Sequence, residues 1–301
     1  MSKEYNKQHF VPQSYLKRFA RPNEFNNGYH IGVRRIISNE VHLFKKNISD
    51  IAYMQNYYDV STRDDPKYWE HYFSQNIEPL LGLPLSNIEA KIMLSAPGKA
   101  VLDEKDRKIL ADIISFQYSR VPAFLDPHLK KGVVLGKELK EWVLQTFGPL
   151  MSLDQLARVS QMRIDPDIIK DFILESISSN ERIDKYSEIL MERIWVVYYN
   201  NTSMPFLTSD NPVIMYNFRS DSISYSETGI ARGDTIIYFP ISSRIMVQLF
   251  PSNFLSGSRK KIDGFRLCLE NRDLKFVTGV NTLQMNHASS ETYMDPLFLE
   301  E

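Results

Sequence analysis

Gln117 and Arg120 are polar residues placed where polarity is costly. On a helix predicted over 106–121 they fall inside the apolar arc defined by Ile109, Leu110, Ile113, Ile114 and Phe116. Burying a neutral polar group without a partner costs roughly 2–7 kcal/mol, and a charge costs more. Each of the two therefore needs a dedicated partner. An arginine fork matches carboxylate or phosphate, so Arg120 is a candidate anion binder and transition-state stabiliser, with Gln117 as an orienting amide. The competing reading is an internal Arg–carboxylate bridge that fixes helix packing, and from the helix alone it carries more weight.

Four further residues could do chemistry. Asp210 and Asn211 stand in Pro205-Phe-Leu-Thr-Ser-Asp-Asn-Pro212, where an apolar strand runs into a turn. A carboxylate at the end of a core strand can serve as catalytic base or metal ligand, and Asp or Asn before Pro equally makes an ordinary turn. His9 precedes a helix start and could act as acid, base or metal ligand, although a lone histidine there more often caps or packs. Glu89 lies on the apolar side of its own predicted helix. It is a natural counter-ion for Arg120 or a metal ligand, while Ser86-Asn-Ile-Glu89 also reads as a capping box. Asp210, His9 and Glu89 are thus the candidates for a divalent metal. The remaining histidines lack two-His metal spacing, His71 is expected on a solvated face, and there is no Gly-rich phosphate loop, nucleophile elbow or Cys-x-x-Cys pair.

The elements that must position these residues divide the chain in three. Residues 1–65 predict a short helix, Gln13 to Ala20, and a hairpin of strands 29–37 and 40–48 turning at Ser38-Asn39. Residues 66–192 carry helical periodicity, with candidates at 86–95, 106–121, 128–147, 153–162, 166–178 and 183–191. Residues 193–301 predict strands at 194–199, 205–208, 213–217, 235–241, 244–250 and 291–294, a helix at 273–286, and a long mobile loop at 218–234. Strands at both ends and helices between them indicate an α+β fold. An N-terminal β-hairpin and C-terminal antiparallel strands would pack on a helical middle, as one domain spanning 1–301.

Composition narrows the function classes. Lysine and arginine number 36 against 37 acidic residues, so no global field draws the chain to a polyanion and any phosphate contact must be local. Lys45-Lys46 and Arg259-Lys260-Lys261 are the candidate basic patches, each also readable as solvated surface. The single cysteine, Cys268, excludes an intrachain disulfide and a zinc ribbon and is expected to be buried. No signal-like apolar start or membrane-length apolar run is present, so a cytosolic location is expected, with no membrane partner.

Four stretches together resemble the family called domain of unknown function 4238. They are Gln8-His9-Phe-Val-Pro12-Gln-Ser-Tyr15-Leu16-Lys-Arg18-Phe19, Lys46-Asn-Ile-Ser-Asp50-Ile-Ala-Tyr53 with Tyr57-Tyr58, Phe116-Gln117-Tyr-Ser-Arg120-Val-Pro122, and Phe206-Leu-Thr-Ser209-Asp210-Asn211-Pro212. Asn281-Thr-Leu-Gln284 matches more weakly, and Ser14 departs from the aromatic common at its place. The resemblance spans about residue 7 to 294 and implies that His9, Gln117, Arg120, Asp210 and Asn211 are retained together as one polar site. It implies a fold without naming a reaction.

The leading expectation is a hydrolytic effector of bacterial defence or toxin type, a nuclease or phosphate-handling enzyme. In it Arg120, with Lys46, holds an anionic group, and His9 with Asp210 moves protons or coordinates a divalent ion. Its partner is a nucleic acid or a phosphorylated small molecule. The rival is a non-catalytic binding module for a peptide, a phage component or nucleic acid, with the same cluster joining the terminal strands to the helical middle.

Overall fold

The computed structural model describes residues 6–23, 28–254 and 262–299. The basic run at 259–261 lies outside them. A short strand β1 (Lys7–His9) leads into helix α1 (Gln13–Leu16), which continues as a 3-10 turn to Phe19. Strand β2 (Arg21–Pro22) precedes the hairpin of β3 (Tyr29–Ile37) and β4 (Glu40–Asn47). Ser38 and Asn39 both take left-handed φ values, 51° and 67°, which a two-residue hairpin loop of the tight twisted kind requires. After β5 (Tyr53–Gln55) the chain turns helical: α2 (Tyr68–Asn76), α3 (Leu83–Leu94), α4 (Glu104–Arg120), α5 (Pro122–Phe147), α6 (Leu153–Gln161), α7 (Pro166–Ser178) and α8 (Asn180–Met191). The last third alternates β6 (Ile194–Asn200), β7 (Thr208–Ser209), β8 (Ile214–Asn217), β9 (Thr235–Pro240), β10 (Ile245–Phe250), β11 (Phe265–Leu269), α9 (Leu274–His287) and β12 (Glu291–Met294).

The architecture is α+β. One sheet runs β11-β6-β10-β9-β8. A second sheet, β2-β3-β12-β7, brings distant parts of the chain together, because C-terminal β12 pairs with hairpin strand β3 on one side and β7 on the other, and β4 pairs with β3; β1 and β5 form a separate two-stranded sheet. One buried cluster reaches from Phe10 and Val11 through the helices to Tyr293. Within α4, Asp103 accepts from the Asp106 amide at 2.9 Å and closes a capping box. From Ile113 to Arg120 every side chain is buried, so this helix is the axle of the molecule.

Several expectations need correction. β11 is absent from the predicted strands, and it lies parallel to β6, so that sheet is not purely antiparallel. Residues 205–208 do not form a strand before Thr208. The Phe206 amide bonds to the Ser243 carbonyl and the Leu207 amide to Asn281 Oδ1, which satisfies the backbone without a ladder. Helix α5 begins at Pro122 rather than His128, since Pro at the first helical position loses no needed donor. The capping box at Ser86 does not form, because α3 starts at Leu83 and the Ser86 hydroxyl instead bonds to the Gly82 carbonyl one turn back. Cys268 is half-buried, its thiol facing Glu270 at 3.3 Å. His71 is exposed beside Asp65, as expected. Among the described residues no helix is long and apolar enough to cross a membrane.

Candidate functional site

The C-terminal turn of α4 points at β1. Gln117 Nε2 donates to the Phe10 carbonyl at 2.9 Å, and Arg120 donates through its terminal nitrogen to the His9 carbonyl at 2.6 Å. Arg120 is 1% exposed, with the rings of Tyr58, Phe73 and Phe116 at 5.6, 5.0 and 5.7 Å from its guanidinium carbon. Tyr58 closes the loop by donating its hydroxyl to the Arg120 carbonyl at 2.9 Å. The nearest carboxylate to Arg120 is Glu78 at 3.7 Å, not Glu89. Glu89 pairs with Arg18 at 2.9 Å on another face, and burial raises its pKa against the pull of that guanidinium. The two residues that looked awkward on the helix thus hold the backbone of the first strand in place.

Asp210 is held in a comparable way. Its Oδ1 accepts from the Ser289 amide at 2.8 Å. Its Oδ2 accepts from the Ser290 amide at 2.7 Å, the Ser290 hydroxyl at 2.8 Å and the Glu291 amide at 3.1 Å. Burial pushes the carboxyl up, and these four donors pull it back toward ionisation. Asn211 turns toward α9, donating to the His287 carbonyl at 3.2 Å and accepting the Tyr225 hydroxyl at 3.2 Å. Gln284 and His287 of α9 complete this hub, reaching the Asn211 and Val213 carbonyls at 2.9 and 3.0 Å.

In front of this scaffold lies a cleft of about 250 Å³ between the hairpin, the 50–54 loop and the Asp210 turn. Arg35, Lys46, Asp50, Asp210, Ser290 and Glu291 supply its polar lining, together with the hydroxyl-bearing rings of Tyr53 and Tyr293. Arg35 pairs with Glu291 directly across the β3–β12 ladder, and Tyr293 donates its hydroxyl to the same Glu291 at 2.8 Å. Lys46 donates to the Asp50 carbonyl at 3.0 Å, and the Asp50 carboxylate pairs with Lys7. His9 stands beside this cleft, paired with Tyr53 across β1 and β5, its Nε2 buried without a partner. Burial, then Lys7, lowers its pKa, so its imidazole is neutral at pH 7.

Of the expected site residues, Asp210 and Lys46 therefore line one cleft and His9 adjoins it. Gln117 and Arg120 lie behind, supporting it, while Asn211 and Glu89 face elsewhere. Asp210, His9 and Glu89 do not converge as a metal set. Among the described residues no three His, Cys, Asp or Glu side chains gather so as to hold a metal ion. Arg35, Asp50 and Glu291 were not anticipated. Period-two alternation carried the signal: Ile31, Val33 and Arg35 share a strand face, as do Glu291 and buried Tyr293.

The chain belongs to the family described as Protein of unknown function (DUF4238), which matches residues 7–296. No curated protein and no solved structure matches it. The stretches that carry the family resemblance are far apart in sequence and meet here. The first supplies Phe10, the second Lys46 and residues 50–53, and the fourth Asp210, while the third buttresses the first from behind.

Proposed function

We propose that the cleft binds an anionic group, a phosphate on a small molecule or at the end of a nucleic acid, and that the chain is in the first instance a binding module. One observation carries the reading: the carboxylates of the cleft are already occupied by internal donors, whereas Lys46 and Arg35 keep donors to spare. A lysine ammonium has three N–H groups and Lys46 spends one, on Asp50; a guanidinium has five. Three carboxylates face two cations in the lining, so capture depends on directed hydrogen bonds rather than on a positive field. His42 lies on the same face of the hairpin as Arg35, directly opposite it in the ladder, and extends the row toward the tip.

A hydrolytic reading, as a nuclease or phosphate-handling effector of bacterial defence in the cytosol, has one observation in its favour. His9 pairs with the cleft residue Tyr53 and holds an imidazole whose pKa burial lowers and whose Nε2 is buried without a hydrogen-bond partner, so it could serve as a general base if a substrate reaches it. Titration of the protein with pyrophosphate, adenosine 5′-monophosphate and a short single-stranded RNA, with and without magnesium, separates the two. Saturable binding without turnover, weakened about tenfold by Lys46→Met, supports the module. Turnover abolished by His9→Gln at unchanged affinity supports hydrolysis. Absence of binding to all three probes refutes both.

A further inference from the structure

A second cavity, of about 240 Å³, opens on the other side of the 55–58 segment. Its walls are apolar: Leu125 and Leu129 from α5, Ile173 and Leu174 from α7, and Tyr57 and Tyr58. The two helices are pinned close together just beyond it, because a Cβ on Gly132 of α5 would meet Ile169 Cγ2 of α7 at 2.5 Å. The floor segment is pinned as well, by reciprocal bonds of 3.1 Å between Asn6 and Asn56. The pocket is therefore preformed, and smaller than the roughly 300–1,000 Å³ of drug-sized ligand sites.

Two opposite charges line this apolar space without pairing with each other. Lys170 donates to the Asp59 carbonyl at 2.7 Å, and Asp126 accepts the Tyr57 hydroxyl at 2.6 Å. Each meets a neutral partner and retains capacity, two N–H donors on the ammonium and further lone pairs on the carboxylate. Burial draws the Lys170 pKa down against the opposing pull of Asp167, Asp59 and Asp126, so a nearby anion would stabilise its charged form. A lone cation or a lone anion entering here would meet one like charge. A ligand carrying both signs on a compact apolar body meets neither penalty.

We infer that this pocket binds a small apolar zwitterion, a free α-amino acid with an aliphatic or aromatic side chain. Its carboxylate sits on Lys170, its ammonium on Asp126, and its side chain lies against Leu125, Leu129, Ile173 and Leu174. The site is separate from the phosphate cleft and stands or falls independently of it.

Calorimetric titration of the full chain with L-leucine and L-phenylalanine tests this, against isocaproate and isoamylamine, which carry one charge each. The amino acids should bind at least tenfold more tightly than either analogue. Lys170→Met and Asp126→Asn should each reduce L-leucine to analogue affinity. Leu129→Trp, which fills the cavity, should block every ligand while leaving the pyrophosphate titration unchanged. The inference is overturned if amino acids and analogues bind alike, if Leu129→Trp leaves affinity intact, or if L-leucine binds no more tightly than about 10 mM.

Discussion

Replacing Asp210 separates a scaffold carboxylate from a reacting one. Asp210→Ala removes an acceptor that serves three amides and one hydroxyl. Hydrogen bonds to a charged group contribute about 1.5–3 kcal/mol each, and a stranded buried donor costs about 1–3. Ser289 and Ser290 are exposed enough for water to replace the lost acceptor, whereas the Glu291 amide is buried. Removing the carboxylate also relieves its own desolvation. The balance is a loss of about 3–5 kcal/mol, a large part of the roughly 5–15 that holds a domain folded. In Asp210→Asn the amide oxygen can take the Oδ2 position and keep three of the four bonds, losing the Ser289 amide. That loss is about 1–2 kcal/mol. Denaturant titration at constant slope gives the ordering wild type, Asn, Ala. An alanine variant within about 0.5 kcal/mol of wild type would refute the anchoring role and return Asp210 to the list of reacting groups.

Two further outcomes follow from the buried network. Arg120→Met should cost about 3–5 kcal/mol and speed hydrogen exchange at residues 7–10, because the His9 carbonyl loses its donor. Arg120→Lys should recover only part, since a point charge cannot serve that carbonyl and the Tyr58 hydroxyl together. Burial lowers the His287 pKa from 6.5 to about 4, against the support of its bond to the Val213 carbonyl. The unfolded chain therefore takes up this proton first as pH falls, and stability drops between pH 6.5 and 4 by up to roughly 3 kcal/mol. His287→Gln should flatten that part of the stability profile. An unchanged profile would show that His287 does not titrate with folding.

The sequence made the costly positions legible more readily than their purpose. Gln117 and Arg120 were recognisable as buried because helical periodicity fixes which side of α4 they occupy. Their partners are the carbonyls of His9, at the end of β1, and Phe10, just past it, more than a hundred residues away, and a backbone acceptor leaves no mark in residue types. Glu89 looked like a partner for Arg120 because charge pairing is easy to imagine and chain path is not. The hairpin turn at Ser38-Asn39 and strand Glu291–Met294 were readable from local pattern alone. β11 is not legible in the same way because Arg266 stands inside Phe265–Leu269, and only the fold buries its guanidinium over the ring of Tyr199. The cleft is half legible in the sequence: Lys46 and Asp210 stand out there, and strand alternation puts Arg35 and Glu291 on their faces, but only the pairing of β12 with β3 brings those two together.

Chemical-shift mapping of isotope-labelled protein titrated with pyrophosphate tests the central claim most directly. Saturable shifts are expected at Arg35, Lys46, residues 50–54 and Ser290, with the α5–α7 pocket silent. Shifts confined to other surfaces, or none at all, would contradict it.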